Sequence, residues 1–302
     1  MSAGPSIIRK RGAGSRSNLE LINSLRDNFA AAQRDYPTVN GNGSINGSTT
    51  TTASVPAWTD RASDADTFLI PRIDWSGAGL RDEATQYEIT VKLFFLQGAP
   101  LDQREVYVRD ALLLVRRELG LAEGTPLDLL VVSFPGMSFQ GNCEMEAEKI
   151  NSQQGNLNEE VATWSIFEDL HRQGQVQKLG VAEFGGQKLS AFIERTSIRP
   201  VVNQINLQNC CNVPPPLKKV ADQNGVELNV HTDCTDILPC GTLREILSPK
   251  GAGVLASSPE ADDGLKGEIA PRWVARYVAF VKDRGVVENK GYFAGADWEE
   301  QR

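Results

Sequence analysis

The sequence predicts an α/β protein, a (β/α)8 barrel of the TIM type with irregular or incomplete units at its N-terminal end. Two observations carry this. From Lys178 to Pro239, short β-branched runs alternate with helical patterns, as consecutive βα units of a parallel sheet do. Upstream, LDLLVVSF at 127–134 is almost wholly apolar, as expected of a strand covered on both faces. Right-handed βα connections make a closed parallel barrel the economical arrangement of such units. The 302 residues suffice for one barrel of about 250 residues, so one domain over 1–302 is expected.

The elements follow in order. Ser17-Asn-Leu-Glu20 is a capping box, and Leu19, Ile22, Leu25 and Phe29 continue it at helical spacing to about Tyr36. Residues 40–56 are dominated by Gly, Asn, Ser and Thr and read as a flexible tract. DTFLIPRIDW at 66–75 reads as a short strand interrupted by Pro71. YEITVKLFFLQ from Tyr87 is a strong strand, and 102–119 an amphipathic helix. After the strand at 127–134, residues 139–158 read as a polar loop, and Glu159–Gln173 as a helix. KLGVAEF is a strand, followed by a helix through Leu189, Phe192 and Ile193. PVVNQINL is a strand, prolines 214–216 open a helix, and GVELNVHT is a strand. Residues 249–267 form a second polar loop. Trp273, Val274, Tyr277, Val278 and Val281 predict a helix over 271–284, and RGVVENKGY a last short strand.

Composition narrows the function. A hydrophobic share of 40% and a charged share of 23% are ordinary for a globular chain. The net charge of −8 argues against nucleic acid or an anionic membrane as partner, since both select a basic face. No apolar run approaches the ~20 residues that span a bilayer, and no secretory h-region is present. The expected compartment is the cytoplasm, and the Asn42 and Asn46 sequons then carry no sugar. Five cysteines (143, 210, 211, 234, 240) without C-x-x-C, beside only His171 and His231, lack zinc spacing, so no metal is expected. A disulfide closing between the adjacent Cys210 and Cys211 would be strained.

The pieces resemble the aldo-keto reductase barrel over 87–292: LDLLVVSFPG, GVAEF, RPVVNQINL and RGVVENK each look like a motif of that family. The resemblance implies a Tyr, Lys, His and Asp tetrad that donates a proton to a carbonyl as hydride arrives. Lys92 matches the lysine position, but Ser133 stands where the family has His, and no matching Asp-x-x-x-x-Tyr precedes Lys92. Gln204 matches the carboxamide-binding Gln and Lys290 the phosphate-binding Lys, both as vestiges. Glu183 replaces an amide, His231 the stacking Tyr, Asp233 a proline, and Gly291 follows Lys290 in place of Ser. No catalytic residue and no cofactor are therefore expected.

NQINLQNCCNVPP, VKLFF, VHTD and RYVAFVKDRGVVENKGY bring a closer resemblance, to the regulatory (modifier) subunits of glutamate–cysteine ligase. It implies a barrel without reductase activity that binds the ligase's catalytic subunit in a heterodimer, improving glutamate use and relieving glutathione feedback inhibition in glutathione biosynthesis. Cys210, Cys211, Asn212 and Pro214 are the partner-binding candidates; for the two thiols, simple packing is the competing reading. The runner-up is an NADPH-dependent reductase with a degenerate site, and a third reading is a thiol-bearing scaffold for another partner.

Overall fold

The computed structural model describes residues 1–5, 17–36, 56–61, 67–207, 212–234, 236–261 and 263–299. Cys210, Cys211 and all of the 40–56 tract but Pro56 lie outside them.

Along the chain run β1 (Ser2–Pro5), α1 (Ser17–Asp35), β2 (Asp60–Arg61), β3 (Phe68–Leu69), β4 (Tyr87–Phe95), α2 (Arg104–Glu118), β5 (Leu127–Ser133), α3 (Glu144–Asn151) and α4 (Leu157–Arg172). Then come β6 (Val176–Ala182), α5 (Gly186–Ile193), β7 (Val202–Ile205), α6 (Pro215–Asn224), β8 (Glu227–Val230), α7 (Thr242–Leu247), β9 (Glu268–Val281) and β10 (Val286–Glu299). The main sheet has eight strands in the order β1-β10-β9-β4-β5-β6-β7-β8. From β4 to β8 neighbouring strands are parallel, each reached through a helical crossover. The α/β class and its run of βα units are therefore present. Among the described residues no pairing joins β8 to β1, the two ends of that order.

Two expectations are corrected. Residues 271–284 are no helix: β9 runs antiparallel to β4 and turns into β10, antiparallel to it in turn. The helical spacing of Trp273, Val274, Tyr277, Val278 and Val281 is real, but Trp273, Ala275, Tyr277, Ala279 and Val281 also alternate, and these are the residues that face one core. Valines and aromatics suit that pleated, half-buried surface, and Gly285, at φ 61°, turns the hairpin. Within the polar loop expected at 139–158 lies helix α3. Its acidic first turn, Glu144 and Glu146, complements the N-terminal end of the helix dipole.

Successive residues of a strand point to opposite faces, and β4 divides accordingly. Tyr87, Ile89, Val91, Leu93 and Phe95 join a core with Val108 and Leu112 of α2, Trp164 and Phe167 of α4, Phe192 of α5 and Leu217 of α6. Phe94 faces the other way, into a second core built from Leu21, Leu25 and Phe29 of α1 and Leu243, Ile246 and Leu247 of α7. The sheet is thus a middle layer between four crossover helices and an α1/α7 layer. Burying one such Leu or Phe stabilises by about 1.5–3 kcal/mol.

Candidate functional site

On the face of the sheet that carries Phe94, register lines up three polar side chains. Lys92 of β4 lies opposite Arg276 of β9, which lies opposite Tyr292 of β10. Behind the C-terminal ends of β6 and β8, the chain adds Glu183, His231 and Asp233. Asp233 is the hub. Its Oδ2 accepts from Lys92 Nζ at 3.0 Å and its Oδ1 from Arg276 Nη1. Its backbone N–H donates to His231 Nδ1 at 3.1 Å, and its carbonyl accepts from Asn206 Nδ2 at 2.9 Å. With Nδ1 accepting, the proton of a neutral His231 sits on Nε2, 2.6 Å from Glu183 Oε1. That contact is close, yet Nε2 has no well-directed hydrogen bond, so we read it as electrostatic proximity rather than a strong bond. Glu183 itself is in the left-handed region, φ 68°, which is uncommon for a non-glycine residue. Its N–H donates to the Gln204 carbonyl at 2.8 Å and its Oε2 accepts from Asn206 N–H at 3.3 Å.

The electrostatics follow from burial. Lys92 and Asp233 are 5% and 3% exposed, too dry for either to stand alone. Burial pushes the Lys92 ammonium below the ordinary lysine range, against the pull of Asp233 and Glu183. For Asp233 burial would raise the carboxyl, but Lys92 and Arg276 outweigh it and hold the group below the usual carboxylate range.

A second knot lies farther along β10. Lys290 Nζ donates to Glu20 Oε1 at 2.7 Å and Tyr292 OH to Glu20 Oε2 at 3.3 Å. The capping box thus marks the start of α1 correctly, but its side chains serve tertiary contacts: Ser17 Oγ accepts from Cys234 N–H at 2.7 Å. Burial, with Glu20 beside it, pushes the Tyr292 phenol up. A general acid working near neutrality needs the opposite shift.

Of the residues singled out in the sequence, Lys92 and Asp233 meet, and Glu183 and His231 meet. Ser133 ends β5 opposite Phe94, two residues beyond Lys92 on the same face. Gln204 is half-buried in β7, opposite Ala182 and Asn229. Asn212 is exposed and donates to Glu144 Oε1 of α3 at 2.8 Å. Pro214 is buried as the N-cap of α6. Cys143 and Cys240 are exposed free thiols. Sequence reasoning missed Arg276, Glu20 and Tyr292. Arg276 was concealed by the helical reading of 271–284; an alternating reading puts it on the face opposite Trp273 and Tyr277, toward Lys92.

Lys290 pairs with Glu20, and Glu183 presents an acceptor-only carboxylate beside His231. Among the described residues no group of three His, Cys, Asp or Glu is placed to hold a metal ion. No helix there is long and apolar enough to cross a membrane.

No family profile matches the chain. A Schizosaccharomyces pombe protein, provisionally named a glutamate–cysteine ligase regulatory subunit, is 28% identical over 224 residues, 71% of this chain and 73% of that one. The Homo sapiens glutamate–cysteine ligase regulatory subunit is 24% identical over 215 residues, 71% of this chain and 68% of that one. Among solved structures, a Bombyx mori aldo-keto reductase in complex with NADP superimposes with a TM-score of 0.33 at 23% identity. That overlap spans 47% of this chain and 40% of the reductase. Across 71% of its length the chain is a homologue of proteins named glutamate–cysteine ligase regulatory subunit.

Proposed function

We propose that this chain is a non-catalytic regulatory subunit of glutamate–cysteine ligase that forms a heterodimer with the catalytic subunit. The observation that carries the reading is the sequence match to the regulatory subunits, which spans about 70% of both chains. The site supports it. Ser133, on the sheet face that carries Lys92, offers no imidazole. Docking acts by population shift: the chain binds better to the catalytic-subunit conformation with higher glutamate affinity and poorer glutathione binding, and so enriches it.

Contacts come from the loops at the C-terminal ends of the parallel strands. There the exposed Asn212, which follows Cys210 and Cys211 in the sequence, donates to Glu144 of α3, and Pro214 sets the start of α6. Ligase kinetics with and without the chain test the reading. A lower glutamate KM and a higher glutathione Ki are expected; unchanged values would overturn it. Tight NADPH binding with carbonyl turnover would instead favour the reductase alternative.

A further inference from the structure

Three Ser/Thr-Pro pairs occur in the sequence: Thr125-Pro126, Ser248-Pro249 and Ser258-Pro259. A proline-directed protein kinase reads such pairs through the missing N–H and fixed φ of the proline. The structure separates the three. Thr125 is half-buried just before β5. At the end of α7, Ser248 Oγ donates to the Glu245 carbonyl at 2.8 Å and accepts from Gly251 N–H at 3.2 Å, so its hydroxyl is committed. Ser258 is exposed. It opens a β-turn in which its carbonyl accepts from Ala261 N–H at 3.1 Å, with Pro259 at the second position that turns favour. Its neighbour Ser257 is tied instead, its N–H donating to Asp263 Oδ1 at 2.9 Å.

Ser258 also lines a polar pocket of about 240 Å³ together with Arg244 of α7, Lys266 and Glu268 of β9. Arg244 pairs with both oxygens of Glu268, and the two side chains are 61% and 51% exposed. A surface pair of this kind contributes little and is readily exchanged. A phosphoserine brings close to two negative charges and three acceptor oxygens, a stronger claim on a guanidinium than one carboxylate has. Glu260 and Asp263 share the loop, so an added dianion is drawn away from them, toward Arg244 and Lys266.

We propose that Ser258 is a phosphorylation site for a proline-directed kinase and that Arg244 receives the phosphoryl group, exchanging its tie to β9 for one to the 258–261 turn. In the transfer Ser258 Oγ bonds to the γ-phosphorus of ATP, the bond from that phosphorus to ADP breaks, and the hydroxyl proton leaves to solvent. The inference stands apart from the ligase reading and does not need it.

The test incubates the full chain with a purified proline-directed kinase and Mg-ATP, followed by intact mass and peptide mapping. One phosphoryl group is expected, lost in S258A and retained in S248A and T125A. No incorporation, or incorporation at Ser248 or Thr125, would overturn the assignment. Phosphorus NMR of the modified protein then reads the capture. The second phosphate pKa, about 6 when unperturbed, is expected to be lower in the wild type than in R244Q; coincident titrations would overturn the role of Arg244.

Discussion

Among the described residues, Asp233 is the carboxylate that pairs with both Lys92 and Arg276, and this makes it the residue on which the site's integrity turns. Replacing Asp233 with Asn keeps the volume but leaves Lys92 buried with a neutral partner. Breaking such a pair costs about 3–5 kcal/mol, so urea denaturation of D233N should show a midpoint shifted down accordingly. The pH dependence has a definite sign. The folded-state pKa of Asp233 lies below its unfolded value, so its stabilisation is fully present above the unfolded pKa, about 3.9. It is lost as pH falls through the depressed folded value. Acid titration of stability should therefore be steeper below pH ~4 in the wild type than in D233N; parallel curves would show that the group is not linked to folding.

At the scale of elements, α5 shows how a short helix is held. Its eight residues begin at Gly186, and Glu148 of α3 accepts from Gly186 N–H at 2.9 Å and Gln187 N–H at 3.1 Å. A carboxylate there satisfies free amides and complements the helix dipole. A Cβ on Gly186 would lie 2.9 Å from Leu217 N of α6, so glycine is what lets the two helices meet. Replacing Glu148 with Ala should destabilise by about 0.5–2 kcal/mol, the range of a lost N-terminal cap, and raise amide exchange at Gly186 and Gln187 selectively. Uniform exchange would mean that the contact is not specific to α5. Elements such as α1, α2 and β5 were legible in the sequence because one apolar period fits each. β9 was not, because its valines and aromatics satisfy both the helical and the alternating period, and only its pairing with β4 decides. The Lys92–Asp233 contact was equally hidden, since 141 residues separate its partners.

Over the whole molecule, the sheet divides polar from apolar work. One face packs on four crossover helices; the other packs on α1 and α7 and holds the ion pairs of Lys92 and Arg276 with Asp233 and of Lys290 with Glu20. Relations of this kind are not readable from motif spacing, because Glu20 and Lys290 lie 270 residues apart. Removing residues 268–302 should strip β4 of its antiparallel neighbour and β1 of its strand partner among the described residues. Such a truncation is expected to aggregate on expression, and a soluble, cooperatively unfolding product would contradict this view of the sheet.

The C-terminal hairpin also sets an order in time. Strand β4 emerges from the ribosome early, yet the strand that covers its free edge, β9, begins at residue 268. At about 5–20 residues synthesised per second, the edge stays open for ~10–35 s, the time to make the ~170 residues between them. An uncovered edge is a template for pairing with another chain, and long-range pairing of this kind is slow to form. The same hairpin that completes the sheet therefore makes the nascent chain dependent on protection until β9 has emerged.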